Sequence, residues 1–172
     1  MKLFYIAILT TGIFSHNALA SECQTITRQE ILAAQKAWGG GIVAIGKSAE
    51  PKIAAMEHIN RLYAYDAGVV LFKPTKASAL QFRDTKDEAL SYFVGGKEPE
   101  DKGFALAPFT KVQFENHAIH IDCDSALAQG NYYFTQTNGK TIKVEYSFGY
   151  MKDENGDVRI NLQHSSLPYQ NN

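Results

Sequence analysis

Cysteine, proline, tryptophan and excess charge are all scarce in this chain. Its 172 residues include two cysteines, five prolines and one tryptophan, and 17 basic residues nearly cancel 18 acidic ones. Two cysteines cannot build a disulfide-dense scaffold, and the charge balance gives no reason to expect nucleic acid as a partner. The basic residues do not interleave with Tyr132, Tyr133, Phe134, Tyr146, Phe148 and Tyr150, so these aromatics read as sheet core and not as a base-stacking platform. No Cys-x-x-Cys, His-x-His or His-Glu-x-x-His spacing occurs, and no Gly-x-Ser-x-Gly elbow, phosphate loop or dinucleotide fingerprint. Asp153-x-Asn155-x-Asp157 imitates the start of a calcium loop, but Val158 and His164 stand where such a loop needs Gly and Glu.

A long apolar run is missing too. Met1-Lys2 leads into Leu3-Phe4-Tyr5-Ile6-Ala7-Ile8-Leu9, and Ala18-Leu19-Ala20 closes the segment with a small-x-small site. A membrane anchor needs roughly 20 continuous apolar residues, and this stretch is interrupted by Thr10, Thr11, Ser15, His16 and Asn17. It reads as a secretory signal peptide over residues 1–20. Cys23 follows Glu22 and lies beyond the cleavage point, so a lipid anchor is not expected. The mature chain, 21–172, has a length suited to one domain with one core. A periplasmic or secreted protein with no membrane attachment is the expectation. Export to an oxidising compartment predicts a Cys23–Cys123 disulfide. Closing a loop of about 100 residues, it would stabilise by about 4 kcal/mol on the loop-entropy model.

Periodicity and punctuation then divide the mature chain. Thr27-Arg28-Gln29-Glu30 is a capping box, followed by apolar residues at Ile31, Ala34, Trp38, Ile42 and Ile45, the spacing of one helical face. Gly39-Gly40-Gly41 weakens that helix and points to close packing or a bend. Pro51 can open a second helix through Met56, Ile59 and Leu62. Residues 63–72 read as strand, turn and strand, Ser78 to Phe82 as a short helical stretch, and Thr85-Lys86-Asp87-Glu88 as a second capping box, with Gly95-Gly96 as the stop. From Lys111 onward alternation takes over, with hairpin signals at Asn138-Gly139 and Asp153–Asp157. Helices first and strands afterwards predict an α+β domain, with helices on one face of a strongly curved antiparallel sheet.

Strict alternation along the last strand puts Ile160, Leu162, His164 and Ser166 on one face and Asn161, Gln163 and Ser165 on the other. A polar pair at the end of an apolar face has the look of a pocket floor. The plain alternative is a half-buried structural histidine with two serines bonding the turn. By the same alternation His117 and His120, three apart, fall on opposite faces and do not make a metal pair.

Six blocks carry a likeness to a known family: Ala33-Ala34-Gln35-Lys36-Ala37-Trp38-Gly39, Tyr63-Ala64-Tyr65-Asp66, Leu71-Phe72-Lys73-Pro74-Thr75, Leu90-Ser91-Tyr92-Phe93-Val94-Gly95-Gly96, Gly130-Asn131-Tyr132-Tyr133-Phe134 and His164-Ser165-Ser166-Leu167-Pro168. In that order they resemble the iota-class carbonic anhydrases, which are similar in fold to the SnoaL-like and nuclear-transport-factor-2-like (NTF2-like) cone. The resemblance implies reversible hydration of CO2 to bicarbonate, with CO2 and bicarbonate as the small-molecule partners and a homodimer paired through the sheet. It implies catalytic roles for Thr75, Tyr92, His164 and Ser166, with Tyr65 and Ser165 binding substrate and either His164 or Tyr92 as the base. The family motif is His-His-Ser-Ser-x-Pro, and Gln163 here replaces its first histidine. That departure implies the metal-free form of the chemistry, with no cofactor. The competing class is a non-catalytic cone that holds a small ligand, distinguishable by a cavity of ~300 Å³ or more.

Overall fold

Helix starts follow the capping signals. The computed structural model describes residues 24–171; the expected leader and Cys23 lie outside that range. Thr27 Oγ1 accepts the Glu30 N–H at 3.2 Å and Glu30 Oε2 accepts the Thr27 N–H at 2.7 Å, so α1, Arg28–Lys47, begins at the first box. Its stripe of Ile31, Ala34, Trp38, Ile42 and Ile45 is buried as expected. Pro51 opens α2, Pro51–Leu62, where its missing N–H is not needed. Thr85 and Glu88 form the second box and start α3, Lys86–Val94, which stops at Gly95 in a positive-φ conformation. Two glycines of α1 allow close approach: a Cβ on Gly41 would sit 2.0 Å from His58 Nδ1 in α2, and one on Gly39 would sit 3.1 Å from the Val112 carbonyl oxygen.

The strands are β1 Leu71–Lys73, β2 Phe109–Asp122, β3 Ser125–Gln136, β4 Thr141–Lys152 and β5 Val158–Ser166, in spatial order β1-β5-β4-β3-β2. Strands β2 to β5 form the expected antiparallel meander. β1 pairs with β5 in parallel, so the sheet is mixed and not antiparallel throughout. The first of the two strands expected over 63–72 shrinks to a single bridge, Tyr63 to Ile160. Ser78 to Phe82 is not helical. Glu100 takes the backbone N–H groups of Ser78, Ala79 and Leu80 on its carboxylate at 2.9–3.1 Å, which fixes an irregular loop in place of a helical turn.

The largest departure is a bulge in β5. Gly149 pairs with Leu162 and Tyr150 with Ile160, which leaves Asn161 unopposed. One extra residue inverts the side-chain alternation beyond it. Ile160 therefore shares the inner face with Gln163 and Ser165, 3% and 1% exposed, while Leu162, His164 and Ser166 face outward. The expected face assignment of the last strand is corrected on this ground. A second irregularity, at His117 in β2, breaks alternation in the same way, and His117 and His120 both border hollows on the outer face.

Helices and inner sheet face meet around Trp38. Its ring meets Phe114, Tyr132, Phe134 and Phe148 edge-on, at centroid distances from 5.6 to 6.2 Å, a geometry that aromatic quadrupoles favour. The sheet thus presents rings inward near its centre and hydroxyls where the rings carry them.

Candidate functional site

The inner face gathers polar groups from five elements. The indole N–H of Trp38 donates to Tyr63 Oη at 2.8 Å, and that hydroxyl donates to Gln163 Oε1. Gln163 Nε2 reaches Ser165 Oγ at 3.5 Å, and Ser165 Oγ bonds Tyr132 Oη. The Thr75 hydroxyl, just past β1, lies in hydrogen-bonding reach of both Tyr132 on β3 and Tyr92 on α3. A continuous polar chain therefore runs from the helix layer through the last strand to Tyr92.

Its outer end opens into a cavity of about 290 Å³. Thr75, Tyr92 and Asp101 provide a polar wall, and Phe104, Phe134 and Val144 an apolar one. The volume falls just below the usual range for a drug-sized ligand. Burial, then the charge of Asp101, pushes the Tyr92 phenol up to about 12 against the bond from the Lys76 backbone, and burial likewise raises Tyr132. At neutral pH both are O–H donors, suited to an anionic oxygen and not to proton abstraction.

Thr75, Tyr92 and Ser165 are thus brought together. His164 and Ser166 are not in this cavity. They border an outer hollow with His117, Asn131 and Glu145, where Ser166 Oγ donates to Glu145 Oε2 at 3.2 Å. Tyr65 stands behind the site: its hydroxyl donates to the Arg83 carbonyl at 2.8 Å and its ring stacks on Tyr63. Of the two bases left open by the sequence, one phenol stays protonated and the imidazole lies across the sheet.

Several groups here carried no sequence signal. Tyr63 and Tyr132 looked like ordinary core aromatics, and Gln163 was assigned outward because the bulge was not visible. Arg83, fully buried, pairs with Asp101 Oδ1 at 2.8 Å and approaches Glu100 at 3.6 Å; an isolated Arg in a loop gives no hint of burial. His58 lies in the core with both ring nitrogens unpartnered. Cys123 is held in a disulfide. Among the described residues no three His, Cys, Asp or Glu side chains group as a metal-binding set, and no helix is long and apolar enough to cross a membrane.

Comparison with known proteins agrees with this geometry. A family model described as metal-independent carbonic anhydrase matches residues 29–167. A metal-independent carbonic anhydrase of Nostoc sp. is 45% identical over 156 residues, covering 86% of this chain and 76% of its own. The crystal structure of a cyanobacterial iota-carbonic anhydrase complexed with bicarbonate superposes with a TM-score of 0.84 at 42% identity, over 95% of this chain and all of that one. A protein of the NTF2-like family from Streptomyces avermitilis, 16% identical, superposes with a TM-score of 0.52 over 83% of this chain and 96% of its own, which bears on the fold alone.

Proposed function

The chain belongs to the metal-independent carbonic anhydrase family, and we propose that it hydrates CO2 reversibly to bicarbonate and a proton in the cavity walled by Thr75 and Tyr92. The observation that carries this reading is the convergence of the Thr75, Tyr92, Tyr132 and Ser165 hydroxyls at one end of an otherwise apolar cavity. The apolar wall suits CO2, a nonpolar gas. The hydroxyls suit the charge that grows on its oxygens as water adds.

Magnitudes limit what each group must do. A catalytic zinc lowers the pKa of bound water from about 15.7 to about 7, worth roughly 12 kcal/mol at 1.36 kcal/mol per unit. Each well-aimed donor to a developing oxyanion supplies about 3–4 kcal/mol. Two or three such donors and a proton acceptor cover a comparable sum.

The test is stopped-flow CO2 hydration by the mature protein after chelation. Thr75→Ala, Tyr92→Phe and Ser165→Ala are each expected to lower kcat by on the order of 10²–10³. Variants that match the parent would remove the cavity from the mechanism. A parent with no activity above buffer, yet able to hold a small organic ligand, would leave the binding-module reading standing.

Two wider features belong to the same reading. Export past the inner membrane is supported by the leader-like residues 1–20 and by a disulfide at Cys123, a bond that persists in oxidising compartments. Pairing of two copies through the outer sheet face is supported by Leu71 and Leu127, 61% and 58% exposed, in one row with Leu162. The same face carries Glu115 and Glu145 beside Lys73, Lys143 and two imidazoles, so it is complementary to itself about a two-fold axis.

A further inference from the structure

Hydration of CO2 releases a proton, and the hydroxyl cluster has no group to receive it. Tyr92 and Tyr132 are held as neutral donors, Thr75 and Ser165 are alcohols, and His164 faces the other side of the sheet. The same cavity has two carboxylates in its wall, Glu100 and Asp101. Their oxygens are differently engaged. Glu100 is saturated: Oε2 accepts from the Ser78 N–H and hydroxyl and the Ala79 N–H, and Oε1 accepts the Leu80 N–H and faces Arg83. Asp101 commits only Oδ1, to Arg83 Nη2. Its Oδ2 is buried with no protein partner, on a side chain 1% exposed. A bare buried carboxylate oxygen is costly unless something reactive or bound meets it. Arg83 fixes where that oxygen lies: Nη1 donates to the Leu80 carbonyl and the backbone N–H to Phe72 O at 2.9 Å, which ties the pair to the β1 end of the site.

We propose that Asp101 Oδ2 accepts the proton of the attacking water, and that Arg83 is the residue that positions it. The proposal rests on the carbonic anhydrase reading. The water oxygen bonds to the carbon of CO2, one carbon–oxygen π pair moves onto oxygen, a water O–H bond breaks, and its proton passes to Oδ2. The products are bicarbonate and a protonated Asp101, which returns its proton to solvent. No preformed hydroxide is required. Once the new C–O bond is largely made, the departing proton is that of carbonic acid, and a carboxylate is basic enough to take it.

The experiment compares the parent with Asp101→Asn and with an Arg83→Gln/Asp101→Asn double variant, by stopped-flow hydration, oxygen-18 exchange between CO2 and water, and thermal unfolding. The double variant removes the stranded Arg83 charge and keeps the fold accessible if Asp101→Asn alone does not. Both variants are expected to lose kcat by on the order of 10²–10⁴ with KM little changed, and added imidazole is expected to restore part of the rate, which a purely structural residue would not allow. Parental kcat in either folded variant overturns the proposal. So does a loss that follows Tm and disappears in the double variant. A parent without activity sinks the carbonic anhydrase reading itself and the proposal with it, a result distinct from an active parent with an active Asp101→Asn.

Discussion

At position 58 an imidazole is enclosed by Trp38, Tyr63 and Phe93, 3% exposed. Desolvation first, and then the charge of Arg61, drives its pKa down to about 3. The unfolded chain therefore binds a proton there near pH 6.5 that the folded protein refuses until about pH 3. Stability is complete above pH 6.5 and is lost as pH falls, by about 1.4 kcal/mol per unit inside the window. Between pH 6 and 5 the lowered carboxylates Glu30, Glu88, Glu100 and Asp153 have not begun to titrate, so the slope of urea midpoints there should fall sharply in His58→Leu. An unchanged slope would clear His58 of the effect. At this scale the candidate site was half legible. Thr75, Tyr92 and Ser165 stood in blocks that the family resemblance singled out, whereas Asp101 and Arg83 depend on a buried ion pair formed between two loops, which no local pattern announces.

Elements were read more securely than single side chains. Capping boxes at Thr27 and Thr85 and the turns at Asn138-Gly139 and Asp153–Asp157 are local chemistry, and each forms where it was expected. The 78–82 segment was misread because its N–H groups go to Glu100, twenty or so residues on, and the last strand because Asn161 adds one residue to one side of a ladder. The glycine triplet in α1 allows a sharp test of packing against propensity. Gly40→Ala meets open space and should stabilise by about 1 kcal/mol from helix propensity. Gly41→Ala drives a methyl into the His58 ring and should destabilise by about 1–3 kcal/mol despite the same propensity gain. Thermal unfolding of the two variants should move in opposite directions; a shift of the same sign would mean that α1 and α2 are not tightly apposed.

For the whole molecule, α+β class and helix-first order were plain from the sequence, and the parallel attachment of β1 was not, since three residues of edge strand leave almost no pattern. The outer face of the sheet is where a second copy is expected to dock. Leu127→Lys, placed in its apolar row, should convert dimer to monomer by light scattering while leaving the fold intact by circular dichroism; a parent already monomeric at high concentration would end that reading. The bulge at Asn161 ties this scale back to the chemistry. It makes the final strand a partition one backbone thick, on which consecutive side chains serve separate compartments: 163 and 165 answer to a reaction chamber, 162, 164 and 166 to whatever lies outside. Neighbours in the chain can then change under unrelated constraints, and one compartment can be retuned without disturbing the other.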